Sequence, residues 1–180
     1  MTWQKLSSVE KYKNRYMTVM EDVLLTDHGD QVTFGVVRKE PAVYIIPWDG
    51  ERFTLVGQYR YPVDAFSWEF PAGHMEHTNL EVAAKTELQE ETGLIANKLV
   101  KIGSFFVAPG HNTQIGYAYL ATGLTKNAQK LETAEKGMQI KAVTPAELNT
   151  MISRKEVRDG PTITSFKLFE LYLAKQQSHE

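Results

Sequence analysis

Three glutamates at helical spacing give this sequence its clearest chemical signal. Glu87, Glu90 and Glu91 lie in a stretch that a Thr-Asn-Leu-Glu sequence precedes and Gly93 follows. The first pattern fits a capping box and predicts a helix that begins near Asn79, and the glycine predicts its left-handed end. At about 100° per residue, the three acids fall on one side of this helix.

The same side of the predicted helix is otherwise apolar. It carries Leu80, Ala83 and Ala84, whereas the solvent side is assigned to Lys85, Gln89 and Thr92. Several half-buried negative charges cost several kcal/mol per ion unless something compensates them. A divalent cation is the simplest compensation, and oxygen ligands suit Mg²⁺ or Mn²⁺. The alternative is a surface helix that is merely rich in glutamate.

The stretch from Trp68 to Leu94 resembles the Nudix box, G-x5-E-x7-R-E-U-x-E-E-x-G-U, in which U is aliphatic. Gly73 follows a Pro-Ala pair as the box glycine. The end of the pattern is matched by Glu87, Leu88, Glu90, Glu91, Gly93 and Leu94. The sequence departs from the pattern in three ways. Thr86 replaces the arginine, the span after Gly73 is one residue short, and the earlier glutamate is missing.

The resemblance implies a metal site and a catalytic residue. Its ligands would be the side chains of Glu87, Glu90 and Glu91 and the backbone carbonyl of Ala72, and Glu91 would be essential for catalysis. The metal would be Mg²⁺ or Mn²⁺. The arginine that Thr86 replaces usually braces these acids in the family.

Residues on both sides of the box resemble the branch of the family that hydrolyses ADP-ribose. A Gln-Tyr-Arg sequence places Arg60 where a relative's arginine contacts the diphosphate, and Pro109 lies fifteen residues past the end of the box. Glu69, on the strand that leads into the box, is a second candidate substrate contact. A polar loop after residue 125 offers Glu135 as general base, with Glu132 as the alternative.

This resemblance implies metal-dependent hydrolysis of the pyrophosphate bond in nucleoside diphosphate sugars, with ADP-ribose as the leading substrate. The products would be a nucleoside monophosphate and a sugar phosphate. Two alternatives stay open. The altered box also fits a non-catalytic nucleotide-sugar sensor, and another nucleoside diphosphate derivative is possible as the substrate.

Composition excludes several other classes of function. The chain has 180 residues, no cysteine and a net charge of −2. Disulfide and thiolate chemistry are therefore excluded, and broad phosphate neutralisation of a nucleic acid is disfavoured. The sequence predicts no signal peptide and no apolar run long enough to span a membrane. A cytoplasmic protein is expected, with no nucleic-acid or membrane partner.

The remaining pattern predicts mostly strands with interspersed helices. A hairpin is expected over residues 17–38, strands over 42–46, 53–59, 99–107, 113–120 and 138–143, and helices over 144–154 and 162–176. This order favours an α+β fold. The family resemblance implies a Nudix αβα sandwich with a mixed central β-sheet, as one domain over residues 1–180. Relatives are homodimers, in which an N-terminal hairpin such as residues 1–40 here would be exchanged.

Overall fold

The computed structural model describes residues 2–74, 79–129, 131 and 136–178. In these residues the strands are β1 (Gln4–Lys13), β2 (Thr18–Leu25), β3 (Gln31–Arg38), β4 (Ala42–Pro47), β5 (Phe53–Arg60), β6 (Ala65–Glu69), β7 (Ala72–His74), β8 (Leu94–Phe106), β9 (Ile115–Lys126) and β10 (Gln139–Val143). The helices are α1 (Leu80–Thr92), α2 (Pro145–Ser153) and α3 (Gly160–Gln177), with a short 3-10 helix at Tyr61–Val63. The chain divides into two compact units.

The first unit comprises Met1–Pro41 and Phe106–Ile115. Its sheet has the order β1–β2–β3, and both pairings are antiparallel. Strands β2 and β3 form the predicted hairpin, with Gly29 in the left-handed region at φ 87°. The residues before the hairpin form an edge strand, β1, which is exposed along its whole length.

The second unit comprises Ala42–Phe105 and Gly116–Glu180. One of its sheets has the order β10–β5–β6, and the other has the order β7–β4–β9–β8. Strand β4 runs parallel to β9 and antiparallel to β7, so the central sheet is mixed, as predicted.

Strand β4 separates two apolar clusters because successive side chains of a strand point to opposite faces. Val43 and Ile45 pack in a cluster with Ala84 and Leu88 of α1. Ile46 packs in a second cluster, which contains the buried apolar residues of α2 and α3. The sheet is therefore covered by helices on both faces, and the predicted α+β fold with an αβα sandwich is confirmed.

Side chains define both ends of α1. The Asn79 side chain accepts hydrogen bonds from the backbone N–H groups of Glu81 and Val82, at 2.9 and 3.3 Å. Gly93 ends the helix in the left-handed region at φ 67°. The start near Asn79 and the end at Gly93 agree with the prediction, but Asn79 itself is the cap, in place of the expected capping box. The assignment of Thr92 to solvent is wrong. Thr92 is buried, and its hydroxyl donates to the carbonyl of Leu88.

Helix α2 begins as its sequence predicts, whereas α3 begins at Gly160, two residues before the predicted start at residue 162. Thr144 and Glu147 form both hydrogen bonds of the capping box at the start of α2. The last helix, α3, buries Phe166 and Phe169, but Leu171 and Leu173 on it are exposed. This chain thus covers only part of the apolar surface of α3. No helix in the described ranges is long and apolar enough to cross a membrane.

Candidate functional site

Arg60, at the turn end of β5, and Glu69, at the far end of β6, form a partly buried ion pair. The Arg60 Nε donates to both carboxylate oxygens of Glu69, at 3.1 and 3.2 Å, and Nη2 donates to Oε2. The Glu69 side chain is 7% exposed, whereas the Arg60 side chain is 42% exposed. The pair therefore anchors one edge of the guanidinium and leaves much of the arginine facing solvent.

The hairpin places both residues on the same face. Cross-strand partners share a face, as do alternate residues along one strand. Val56 is opposite Glu69, and Arg60 is four residues along from Val56. The connection is the 3-10 helix Tyr61–Val63, which ends at Asp64 in a left-handed conformation at φ 47°. The sequence pattern pointed to each residue separately, whereas their pairing depends on this turn.

Residues 69–73, the lead-in segment, follow the hairpin in the chain and precede α1. The backbone N–H of Phe70 donates to the hydroxyl of Thr162 on α3, at 2.9 Å. The Pro71 carbonyl accepts from the backbone N–H of Ile45, at 2.8 Å. The Phe70 ring packs edge-on against Phe53 in the core, with 5.5 Å between centroids. Adjacent strands, α3 and the core thus hold the backbone of the lead-in segment.

Two carboxylates of α1 reach the end of this segment. Glu91 is 2% exposed, and its Oε2 accepts from the backbone N–H of Ala72, at 3.0 Å. The Glu87 carboxylate lies against Gly73, where a Cβ atom would overlap its oxygen and carbon atoms. Glycine at this position therefore makes room for Glu87. The structure brings together Ala72, Glu87 and Glu91 of the predicted metal ligands.

The pKa shifts show that these groups share one electrostatic environment. Burial acts to lower the pKa of Arg60, but Glu69, with smaller contributions from Glu91 and Asp159, raises it overall. Burial, followed by the charge of Glu69, raises the pKa of Asp159. Burial likewise raises the pKa of Tyr44, and Asp159 and Glu69 add to the effect. Acidic groups therefore lie near Arg60 and favour its charged form.

The fit of a metal ion rests on the chemistry of these donors. Carboxylates from Glu87 and Glu91 beside the backbone of Ala72 supply the hard oxygen atoms that Mg²⁺ and Mn²⁺ prefer. The Cβ-free space at Gly73 allows the close approach of Glu87. However, the described residues hold no group of three His, Cys, Asp or Glu side chains that is already arranged around a metal. Glu90 is half-buried on the same helix, and its role as a ligand stays a prediction.

Two further groups of residues bear on the site: the candidates for the general base, and residues at the start of α3. Glu135 and Glu132, the two candidates for the general base, lie outside the described residues. Sequence reasoning missed the role of Asp159 and identified Thr162 only as the predicted start of the last helix. The signal was an aspartate shortly before Pro161, a pattern typical of a helix N-terminus. In the structure, the Asp159 side chain accepts from the backbone N–H of Thr162, at 2.8 Å.

Comparisons with known proteins show the family and the fold of this chain. The model of the NUDIX domain family matches residues 38–166. The chain is 31% identical over 160 residues to the ADP-ribose pyrophosphatase of Bacillus subtilis (strain 168), covering 87% of this chain and 86% of the relative. It is 29% identical to the methanol dehydrogenase activator of Bacillus methanolicus, and the match covers 89% of this chain and 88% of that relative. A crystal structure titled ADP compounds hydrolase superposes with a TM-score of 0.85 at 19% identity, covering 98% of this chain and 96% of that chain.

Proposed function

Because this chain belongs to the NUDIX family of hydrolases, we propose that it cleaves the pyrophosphate bond of ADP-ribose and related nucleoside diphosphate sugars. The products are a nucleoside monophosphate and a sugar phosphate. The Bacillus subtilis relative is named an ADP-ribose pyrophosphatase, and its match covers 87% of this chain, which supports this substrate class. The Gln-Tyr-Arg sequence at Arg60 also supports it.

One observation carries the proposal. The carboxylates of Glu87 and Glu91 approach two adjacent residues, Gly73 and Ala72, at the end of the lead-in segment. A helix that was merely rich in glutamate would direct these side chains to solvent, where their charges are hydrated at no cost. Instead Glu91 is buried, which favours a site built to hold positive charge.

A divalent ion at this position, Mg²⁺ or Mn²⁺, would neutralise diphosphate oxygens and activate water. Glu87, Glu90, Glu91 and the carbonyl of Ala72 would hold it. Glu91 is already fixed by the N–H of Ala72, so its second oxygen has a defined direction. We assign Glu91 the essential catalytic role among these residues.

Arg60 binds the diphosphate in this proposal. Its bonds to Glu69 use Nε and Nη2, and a guanidinium carries further N–H donors on its remaining edge. That edge suits two phosphate oxygens. Glu69 fixes the orientation of Arg60, and its direct contact with substrate stays a prediction.

The general base is proposed to be Glu135, with Glu132 as the alternative. A positioned base that takes a proton from the attacking water usually contributes about 10² to 10⁴ in rate. Glu135→Gln and Glu132→Gln, compared for kcat over a range of pH, identify which one acts. If both variants keep the parental kcat, neither residue is the base.

The experiment that tests the function is direct. The purified protein is incubated with ADP-ribose and Mg²⁺ or Mn²⁺, and AMP and ribose phosphate are measured by chromatography. We expect both products in equal amounts, and none after chelation of the metal. A panel that includes other nucleotide sugars and a dinucleoside polyphosphate defines the substrate range.

A non-catalytic sensor is the second candidate, because Thr86 replaces the arginine that usually braces the metal-binding acids. One relative is itself named as an activator of another enzyme. The same assay separates the two functions. Binding of ADP-ribose at one molecule per chain, without any AMP, identifies the sensor and rejects the hydrolase.

Arg60→Lys should raise the KM for ADP-ribose about tenfold, equivalent to about 1.4 kcal/mol of binding. Lysine keeps the charge but loses the planar fork, and it has only one nitrogen to share between Glu69 and phosphate. Steady-state kinetics measure the effect. Arg52→Lys, an exposed arginine beside Glu51, is the matched control and should leave KM unchanged. An unchanged KM for Arg60→Lys would remove Arg60 from the substrate site.

The homodimer and the cytoplasmic location also belong to the proposal. The exposed apolar residues Leu171 and Leu173 on α3 support a partner surface, and the lack of cysteine fits a reducing compartment. Light scattering after size exclusion should give twice the 20.4 kDa mass of one chain. A mass of one chain at micromolar concentration would reject the dimer.

A further inference from the structure

The hydrogen bond between Phe70 and Thr162 joins parts of the chain that are 92 residues apart. Both residues are buried, with Thr162 at 0% exposure. The donor is a backbone N–H in the lead-in segment, and the acceptor is a side chain in the first turn of α3. A side chain from a distant helix therefore determines where this backbone lies.

Phe70 stands between the two halves of the site. The residue before it, Glu69, holds Arg60, and Ala72, two residues after it, contacts Glu91. A shift of the Phe70 backbone would move both contacts together. The hydrogen bond to Thr162 therefore holds the backbone at a point where its displacement would disturb both the phosphate-binding arginine and the proposed metal ligands.

Thr162 is itself held in place. Its backbone N–H donates to the side chain of Asp159, at 2.8 Å, which caps α3. Phe166, one turn further along the helix, is in edge-on contact with Phe53 of the core. The start of α3 is therefore fixed at both Thr162 and Phe166. A side chain that orients other residues must itself be held in this way.

We propose that Thr162 is a positioning residue, which fixes the lead-in segment so that Glu91, Glu87 and the Ala72 carbonyl together fit a divalent cation. This inference rests on the proposed function. A purely structural role would only satisfy a buried N–H group, and its loss would lower stability without a specific effect on metal affinity.

The test compares Thr162→Val, which removes the hydroxyl at nearly the same volume, with Thr162→Ser, which keeps it. Mn²⁺ binding to the whole protein is measured by titration calorimetry, and hydrolysis is measured in parallel against Mg²⁺ concentration. For Thr162→Val we expect metal affinity to fall about tenfold, as for other groups that orient metal ligands. Thr162→Ser should bind Mn²⁺ as the parent does.

Met151→Ala is the control for lost stability, because Met151 is buried in α2 and has no role in the site. It should lower the melting temperature without changing the Mn²⁺ affinity. If Thr162→Val binds Mn²⁺ as tightly as the parent, the proposal is overturned. If Thr162→Val does not fold, Thr162→Ala replaces it. Equal loss of affinity in the Ala and Ser variants would show that the hydroxyl is not the cause.

The metal titration separates the two proposals. A parent that binds Mn²⁺ but releases no AMP from ADP-ribose contradicts the proposed function, and Thr162 is still judged by its effect on Mn²⁺ affinity. A parent that neither binds Mn²⁺ nor hydrolyses ADP-ribose contradicts both.

Discussion

Glu91→Gln should lower the kcat for ADP-ribose by roughly 10³-fold, equivalent to about 4 kcal/mol of activation free energy. Glutamine has the same shape and keeps an oxygen that can accept from the N–H of Ala72. It removes the negative charge that a divalent cation requires. Because glutamine has nearly the same size and keeps this acceptor, the variant should still fold.

Glu81→Gln provides the matched control for this change. Glu81 lies on the same helix, is exposed, and pairs only with Lys85, at 2.7 Å, among its described contacts. An exposed pair of this kind contributes about 0.3 to 0.5 kcal/mol to stability. The Glu81→Gln variant should therefore fold, and its kcat should equal that of the parent because Glu81 is not part of the site. Circular dichroism and melting curves establish that both variants are folded. Parental turnover by Glu91→Gln would disprove the metal assignment.

Gly73→Ala should reduce kcat/KM about 10²-fold, because a displacement of about 1 Å at a reacting centre can have this effect. The new methyl group would occupy the space of the Glu87 carboxylate. Glu87 has a flexible side chain and can turn away, so the protein should still fold. Its carboxylate would then no longer reach the end of the lead-in segment.

Gly35→Ala is the corresponding control, because an added Cβ at Gly35 meets no atom within 4 Å in the described structure. It should keep parental kinetics. If Gly73→Ala also keeps parental kcat/KM and metal dependence, the position of Glu87 beside Gly73 has no role in catalysis. A crystal structure of the variant would show where the carboxylate has moved.

Local signals predicted helix α1 well, and one error in it is instructive. The Asn79 cap and the left-handed Gly93 depend on short-range chemistry that the sequence displays directly. The helical pattern predicts that Thr92 lies on the solvent side with Lys85 and Gln89. A threonine in a helix can satisfy its hydroxyl with the carbonyl four residues earlier, as Thr92 does with Leu88. Burial of this threonine then costs little free energy, so a polar side chain can lie on the inward side of the helix.

The parts of the site that depend on long-range pairing could not be predicted in the same way. Arg60 and Glu69 were each identified, but their ion pair depends on the register of β5 and β6 and on the left-handed Asp64. The contact between Phe70 and Thr162 depends on how α3 packs against the sheet. A sequence pattern has no local signal for such a contact.

The separation of these contacts along the chain has a consequence for synthesis of the protein. Arg60 and Glu69 are 9 residues apart, Ala72 and Glu91 are 19 apart, and Phe70 and Thr162 are 92 apart. Closing a longer loop costs more entropy and is slower. A nascent chain still attached to the ribosome can form the first two contacts, but the third must wait until α3 has emerged. The lead-in segment therefore acquires this support only after α3 has been synthesised.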